Sequence, residues 1–90
     1  MEMILAEKFQ VTCLSGLQLR EASDLVRLVG TFTCRVEIRK GFRRVNARSI
    51  IGLVSLGAAM GTELEFIFKG EDAEAAREAI RKFFQDDFAP

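Results

Sequence analysis

A serine, an arginine and more aliphatic residues than one helix can bury meet in a single short segment, Asn46 to Gly57. Ser49 is placed to cap a helix, because its hydroxyl can accept a hydrogen bond from an unpaired amide of the first turn. Leu53 and Leu56, three residues apart, share one face. Ile50, Ile51 and Val54 form a different stripe. A small domain buries only one stripe of such a helix, so the second is expected to face solvent beside Ser49 and Arg48. Exposed apolar surface of this kind suits docking to another molecule rather than bond-making.

The composition removes most bond-making chemistry. The chain has no histidine, and with it goes the commonest general base, proton shuttle and metal ligand. Two cysteines make neither a zinc site nor the disulfide framework of a small secreted domain. No Gly-rich phosphate loop and no nucleophile elbow is present. The expectation is therefore no enzyme, no cofactor and no metal. Acidic and basic residues balance at 13 each, which argues against general binding of nucleic acid. No run approaches the roughly 18 apolar residues that span a bilayer. The first residues lack a basic region and a long apolar stretch, so neither a signal peptide nor a membrane anchor is expected, and the cytoplasm is the expected location.

Ninety residues with 49% apolar content suit one domain, 1–90, with 1–6 as an N-terminal extension and 85–90 as a fraying tail. Phe9, Val11 and Cys13 alternate with polar residues and predict a strand ended by Ser15-Gly16. Leu19, Ala22, Leu25, Val26 and Val29 predict a helix closed at Gly30. Phe32, Cys34, Val36 and Ile38 predict a second strand, and Lys40-Gly41 turns into a third at Phe42 to Asn46. The Ser49 helix follows. Leu64, Phe66 and Phe68 predict a fourth strand, Gly70 a turn, and Ala73, Ala76, Ile80 and Phe83 a last helix. A Glu78–Lys82 pair is expected on its outer side. Strands with one apolar and one polar face suit an antiparallel sheet wet on one side and covered by helices on the other, an α+β two-layer sandwich in the order βαββαβα.

That order, with the stretches Gly16-Leu17-Gln18-Leu19-Arg20, Val45-Asn46-Ala47-Arg48-Ser49-Ile50 and Gly70-Glu71-Asp72, resembles the HPr family. HPr is the phosphocarrier of the bacterial phosphoenolpyruvate-dependent sugar phosphotransferase system. The resemblance runs from about residue 7 to 87. It implies an open-faced sandwich with strand order 1-4-2-3 and three helices on one face.

In that family the loop before the first helix reads Gly-Leu-His-Ala-Arg-Pro, and its histidine carries a phosphoryl group. By the resemblance Gln18 stands at the histidine position and Arg20 at the arginine, while Leu19 and Glu21 replace alanine and proline. A carboxamide nitrogen has its lone pair delocalised into the carbonyl, so Gln18 is a very poor nucleophile. Ser49 matches the family's second functional site, phosphorylated by HPr kinase/phosphorylase and then read by catabolite control protein A. Glutamine at the histidine position with the serine kept is the pattern of Crh, the catabolite-repression HPr-like protein.

The resemblance thus implies a regulatory interaction module with Leu17, Gln18, Leu19, Arg20, Arg48, Ser49, Ile50, Ile51 and Val54 as its partner-binding surface. Two alternatives stand beside it: a phosphocarrier in the sugar uptake relay, and an orphan scaffold in an organism without a complete relay. Plainer roles are also open to the same residues. Ser49 can serve as a cap alone. Residues Met3 to Leu5, or a second copy of the chain in a homodimer, can cover the aliphatic stripe. Arg20 can pair with Asp24. Arg35, Arg39, Arg43 and Arg44 can form a solvated face interleaved with Glu37, Glu63 and Glu65. Cys13 and Cys34 are expected in the core without a disulfide, because strands 1 and 2 are not neighbours in the 1-4-2-3 order.

Overall fold

The computed structural model describes residues 3–88. Their element order is β1 (Ile4–Gln10), α1 (Leu19–Val29), β2 (Arg35–Lys40), β3 (Arg43–Asn46), α2 (Ile50–Ser55), β4 (Glu63–Lys69) and α3 (Ala73–Gln85). The four strands form one antiparallel sheet in the order β1-β4-β2-β3. The expected α+β sandwich and strand order are therefore observed. On central β4, Leu64, Phe66 and Phe68 are fully buried while Glu63, Glu65, Ile67 and Lys69 occupy the other face. The helices cover the buried side.

The core is rich in phenylalanine. Phe9 of β1 meets Phe66 edge-on at 5.4 Å and stacks on Phe84 of α3 at 4.9 Å. Each such ring, once buried, contributes roughly 1.5–3 kcal/mol by removal from water, with a further increment for the paired geometry. Ala22, Leu25 and Val29 of α1 and Ala73, Ala76 and Ile80 of α3 complete the layer.

Two polar ties fix helices to the sheet. Asp72 accepts hydrogen bonds from the backbone N–H groups of Thr33 and Cys34, both at 2.8 Å, joining the start of α3 to the entry of β2. Arg81 of α3 donates to Glu7 of β1 at 2.6 and 3.1 Å.

Several boundaries differ from expectation. The first strand starts at Ile4, so residues 4–6 pair with Lys69, Phe68 and Ile67 rather than extending free. Glu7 hid this from the alternation: it stands on the inner side but reaches Arg81. The strand ends at Gln10, and the half-buried Cys13 instead donates its thiol hydrogen to the Gly16 carbonyl at 3.1 Å. β2 starts at Arg35, because Thr33 and Cys34 are held by Asp72.

The expected fraying tail is corrected for residues 85–88. Phe88 is buried, stacks on Phe83 at 5.0 Å, and donates its N–H to the Phe83 carbonyl at 2.9 Å. Residues 89 and 90 lie outside the described residues, as do residues 1 and 2. Glu78 pairs with Arg81 rather than Lys82. Both cysteines are free, Cys34 in the core.

Candidate docking site at the amino ends of the first two helices

The loop into α1 is pressed against the segment that follows α2. Gly16 has φ 76°, and a Cβ there would lie 2.7 Å from the Ala58 carbonyl oxygen, so only glycine suits the position. The Leu17 N–H donates to that same oxygen at 2.8 Å, and the Leu17 side chain is buried. Leu17 is therefore an anchor of the loop; its expected place on the partner surface is corrected.

Gln18 follows as the exposed N-cap residue of α1. Its N–H donates to the Glu21 carboxylate at 3.1 Å. Glu21 is 3% exposed, the one buried charged residue among those described. Burial pushes its carboxyl up, but hydrogen bonds from the Glu21 and Gln18 amides and the Arg20 guanidinium outweigh that and hold it below the ordinary value. The amino end of α1, where unpaired amides and the helix dipole favour an anion, is thus filled by the chain's own carboxylate. The Gln18-x-x-Glu21 spacing is that of a capping box, a signal that could have disclosed this role from the sequence.

Arg20 lies against Glu21, with Nε and Nη2 at 3.3 and 3.2 Å from Oε2. Its expected alternative partner, Asp24, pairs with Arg27 instead.

Ser49 caps α2, accepting the Gly52 N–H at 3.0 Å, as expected from the sequence. The aliphatic stripe divides. Ile51 is 84% exposed and Val54 40%, whereas Ile50 packs half-buried against the core. The expectation of an exposed Ile50 is corrected: at the first helical position it covers the edge of the core, while Ile51 and Val54, three apart, share the outer face. Arg48 is also corrected. Its guanidinium donates to the carbonyls of Cys34 at 3.0 Å, Phe32 at 2.7 Å and Val29 at 3.3 Å, so it ties down the α1–β2 connection. Met3 to Leu5 do not cover the stripe, since residues from Ile4 onward lie along β4.

Gln18, Leu19 and Val54 come together around a depression of about 480 Å³ that is completed by Leu17, Gly57, Ala58 and Ala59. Leu19 is 65% exposed. Ala58 and Ala59 were not singled out by sequence reasoning; nothing in their type marks them. The depression offers apolar rims and one carboxamide. It presents hydrogen-bonding capacity but no side-chain nucleophile.

The family profile described as "PTS HPr component phosphorylation site" matches residues 5–86. This chain belongs to the HPr family. It is 38% identical over 81 residues to the HPr-like protein Crh of Bacillus subtilis, covering 90% of this chain and 95% of the relative. It is 35% identical over 74 residues to the phosphocarrier protein HPr of Treponema pallidum, covering 82% and 84%. A crystal structure of Bacillus subtilis Crh, described as revealing a swapping domain and a dimer, superposes with TM-score 0.74 at 37% identity over 93% of this chain and 97% of that one. Membership places the chain among HPr-type carriers and carrier-like proteins rather than among enzymes. Among the described residues no helix is long and apolar enough to cross a membrane.

Proposed function

We propose that this HPr-family chain regulates by docking and does not relay phosphoryl groups. One observation carries the reading: the position matched to the phosphoacceptor histidine holds Gln18, and the anion-favouring helix end behind it is filled by Glu21. An amide nitrogen supplies no usable electron pair to phosphorus, and a phosphoryl group placed there would meet a buried carboxylate. The docking surface consists of Gln18, Leu19, Ile51 and Val54, with Ser49 and Arg20 at its margins. The partners this surface suits are an HPr kinase/phosphorylase and a catabolite control protein A-like regulator, in the cytoplasm. Phosphate on Ser49 would add about −1.5 to −2 charges beside Ile51 and so switch the surface without refolding the domain.

The test pairs two labelling reactions with mass spectrometry. HPr kinase/phosphorylase with ATP is expected to label Ser49; an unlabelled Ser49 beside a labelled HPr control removes the switch. Enzyme I with phosphoenolpyruvate is expected to label nothing, and any acid-labile phosphoramidate supports the carrier alternative instead.

A second reading, a homodimer, is favoured by the dimeric description of the Crh crystal structure. Light scattering across a concentration series tests it, with a constant monomer mass as the outcome against it.

A further inference from the structure

The open face of the sheet carries cations in an arrangement that costs stability. Cross-strand register sets Arg35 of β2 directly against Lys69 of β4, and Arg39 of β2 between Arg44 of β3 and Glu65 of β4, although Glu65 does not line the hollow these cations share. Like charges placed opposite one another destabilise a sheet. Between the two pairs lie Glu37 and Ile67, themselves in register. Glu37 touches both Arg39 and Arg44 at 3.5 Å, so one carboxylate serves two guanidiniums. The Arg39 atom in that contact is Nε, which is shielded from solvent and faces Glu37 Oε2 at 3.5 Å without hydrogen-bond geometry. Among the described residues, Arg35 and Lys69 have no acidic partner.

All of these side chains line one open concavity of about 660 Å³, together with Ile4, Val36, Val45, Asn46 and Arg48. Five cationic side chains and one carboxylate therefore share a single hollow in a chain of formal net charge zero. Solvation alone gives no reason for this concentration, whereas an anionic ligand does.

The geometry constrains that ligand. Arg35 and Arg39 are four residues apart on β2, roughly 13 Å between backbones, with an acid and an isoleucine between them. A compact polyanion would set negative charge on Glu37. A ligand charged at its ends and neutral in the middle would not. We infer that the open sheet face binds an elongated small molecule with a phosphate at each end, one held by Arg35 and Lys69, the other by Arg39 and Arg44, its neutral body on Ile67. Guanidinium and ammonium groups match phosphate oxygens through charge-assisted hydrogen bonds. The inference is independent of the docking reading, since the helices lie on the opposite side of the sheet.

The probe is hexane-1,6-diyl bisphosphate, compared with hexyl monophosphate by amide NMR titration of the full chain. Saturable shifts are expected at Arg35, Ile67, Lys69, Arg39 and Arg44, with the bisphosphate tighter by at least about tenfold. Lys69→Gln is expected to weaken binding, and Glu37→Gln to strengthen it by releasing both arginines; opposite signs at two neighbouring sites are not a folding effect. Equal affinity for the two probes, no saturation by about 10 mM, or shifts centred elsewhere, such as around Arg27 and Lys82, would overturn the inference.

Discussion

The Glu21 carboxylate accepts the backbone N–H of Gln18 at 3.1 Å while almost wholly buried, so the residue at the acceptor position and the carboxylate behind it form one structural unit. The Gln18 amide is shared between this carboxylate and the Gly16 carbonyl, also at 3.1 Å, and the carboxylate ties the start of α1 to the loop before it. Arg20, 80% exposed, adds little to it because its charge is screened by water. Glu21→Ala should therefore destabilise the domain by about 1–2 kcal/mol, the usual cost of a lost helix cap, whereas Arg20→Ala should cost less than about 0.5 kcal/mol. Urea denaturation of the two variants checks the difference.

Acid should weaken the fold through three carboxylates. The hydrogen bond from Arg81 is the main influence holding Glu7 below its ordinary value. The Thr33 amide does the same for Asp72. At Glu21 burial opposes the shift but the amides and Arg20 prevail. A carboxyl depressed in the folded state contributes stability that is complete above its unfolded value, about 4.3 for glutamate and 3.9 for aspartate, and is lost as pH falls through the folded value. The midpoint in urea should be flat from pH 7 to about 5 and fall below about 4. Arg81→Gln should shrink that fall, because Glu7 then loses the largest of the influences that hold its carboxyl down and keeps only Arg77.

Restoring the nucleophile alone should not restore the relay. In Gln18→His the imidazole would stand beside a buried negative charge, and a phosphoryl group on it would face that charge over a few ångströms. At an effective dielectric near 20, two unit charges about 4 Å apart interact by about 4 kcal/mol. Gln18→His is thus expected to take label from enzyme I at least about tenfold more weakly than Gln18→His combined with Glu21→Ala. Equal labelling of both would show that Glu21 does not obstruct the site.

Most of this architecture could be read from residue types. Alternation placed β4, and helical spacing placed α1 and α3, because core contacts dominate those segments. What escaped was polar and long-range. Glu7 breaks the alternation of β1 because its partner, Arg81, is 74 residues away. Arg48 beside Ser49 suggested a shared surface, yet its guanidinium turns to the Cys34, Phe32 and Val29 carbonyls. Sequence adjacency carries no information about which carbonyls a long side chain will find. Glu21 gave the opposite case: its charge near the start of the helix was legible as a competitor for an anion, while its burial and its bond to the Gln18 amide came only with the structure.

Surface and core positions of α2 should separate cleanly. Ile51 is 84% exposed and Leu53 is fully buried. Ile51→Asp should leave stability within about 0.5 kcal/mol while abolishing binding of the Ser49-directed kinase or regulator. Leu53→Ala should cost about 2–5 kcal/mol through the cavity it leaves. Thermal melts beside a pull-down with the candidate partner distinguish the two, and retained binding by Ile51→Asp would remove Ile51 from the docking surface.

Thiol reactivity should report on the turn after β4. Burial, followed by the nearby Asp72, pushes the Cys34 thiol up to about 11, so at pH 8 almost none of it is thiolate, the form that attacks a disulfide reagent. Cys13 is half-buried at the edge of its loop. A dithiodipyridine assay should therefore release one equivalent promptly and a second only as the protein unfolds. Gly70, at φ 147°, has no room for a side chain: a Cβ would lie 2.9 Å from both Cα and Cβ of Cys34. Gly70→Ala forces that contact and a conformation alanine avoids, at a cost of at least about 1 kcal/mol. Because the displaced atoms belong to Cys34, the second thiol should become reactive at a urea concentration where the unmodified chain still protects it. A Gly70→Ala variant with unchanged Cys34 protection would show that the turn can yield without moving β2.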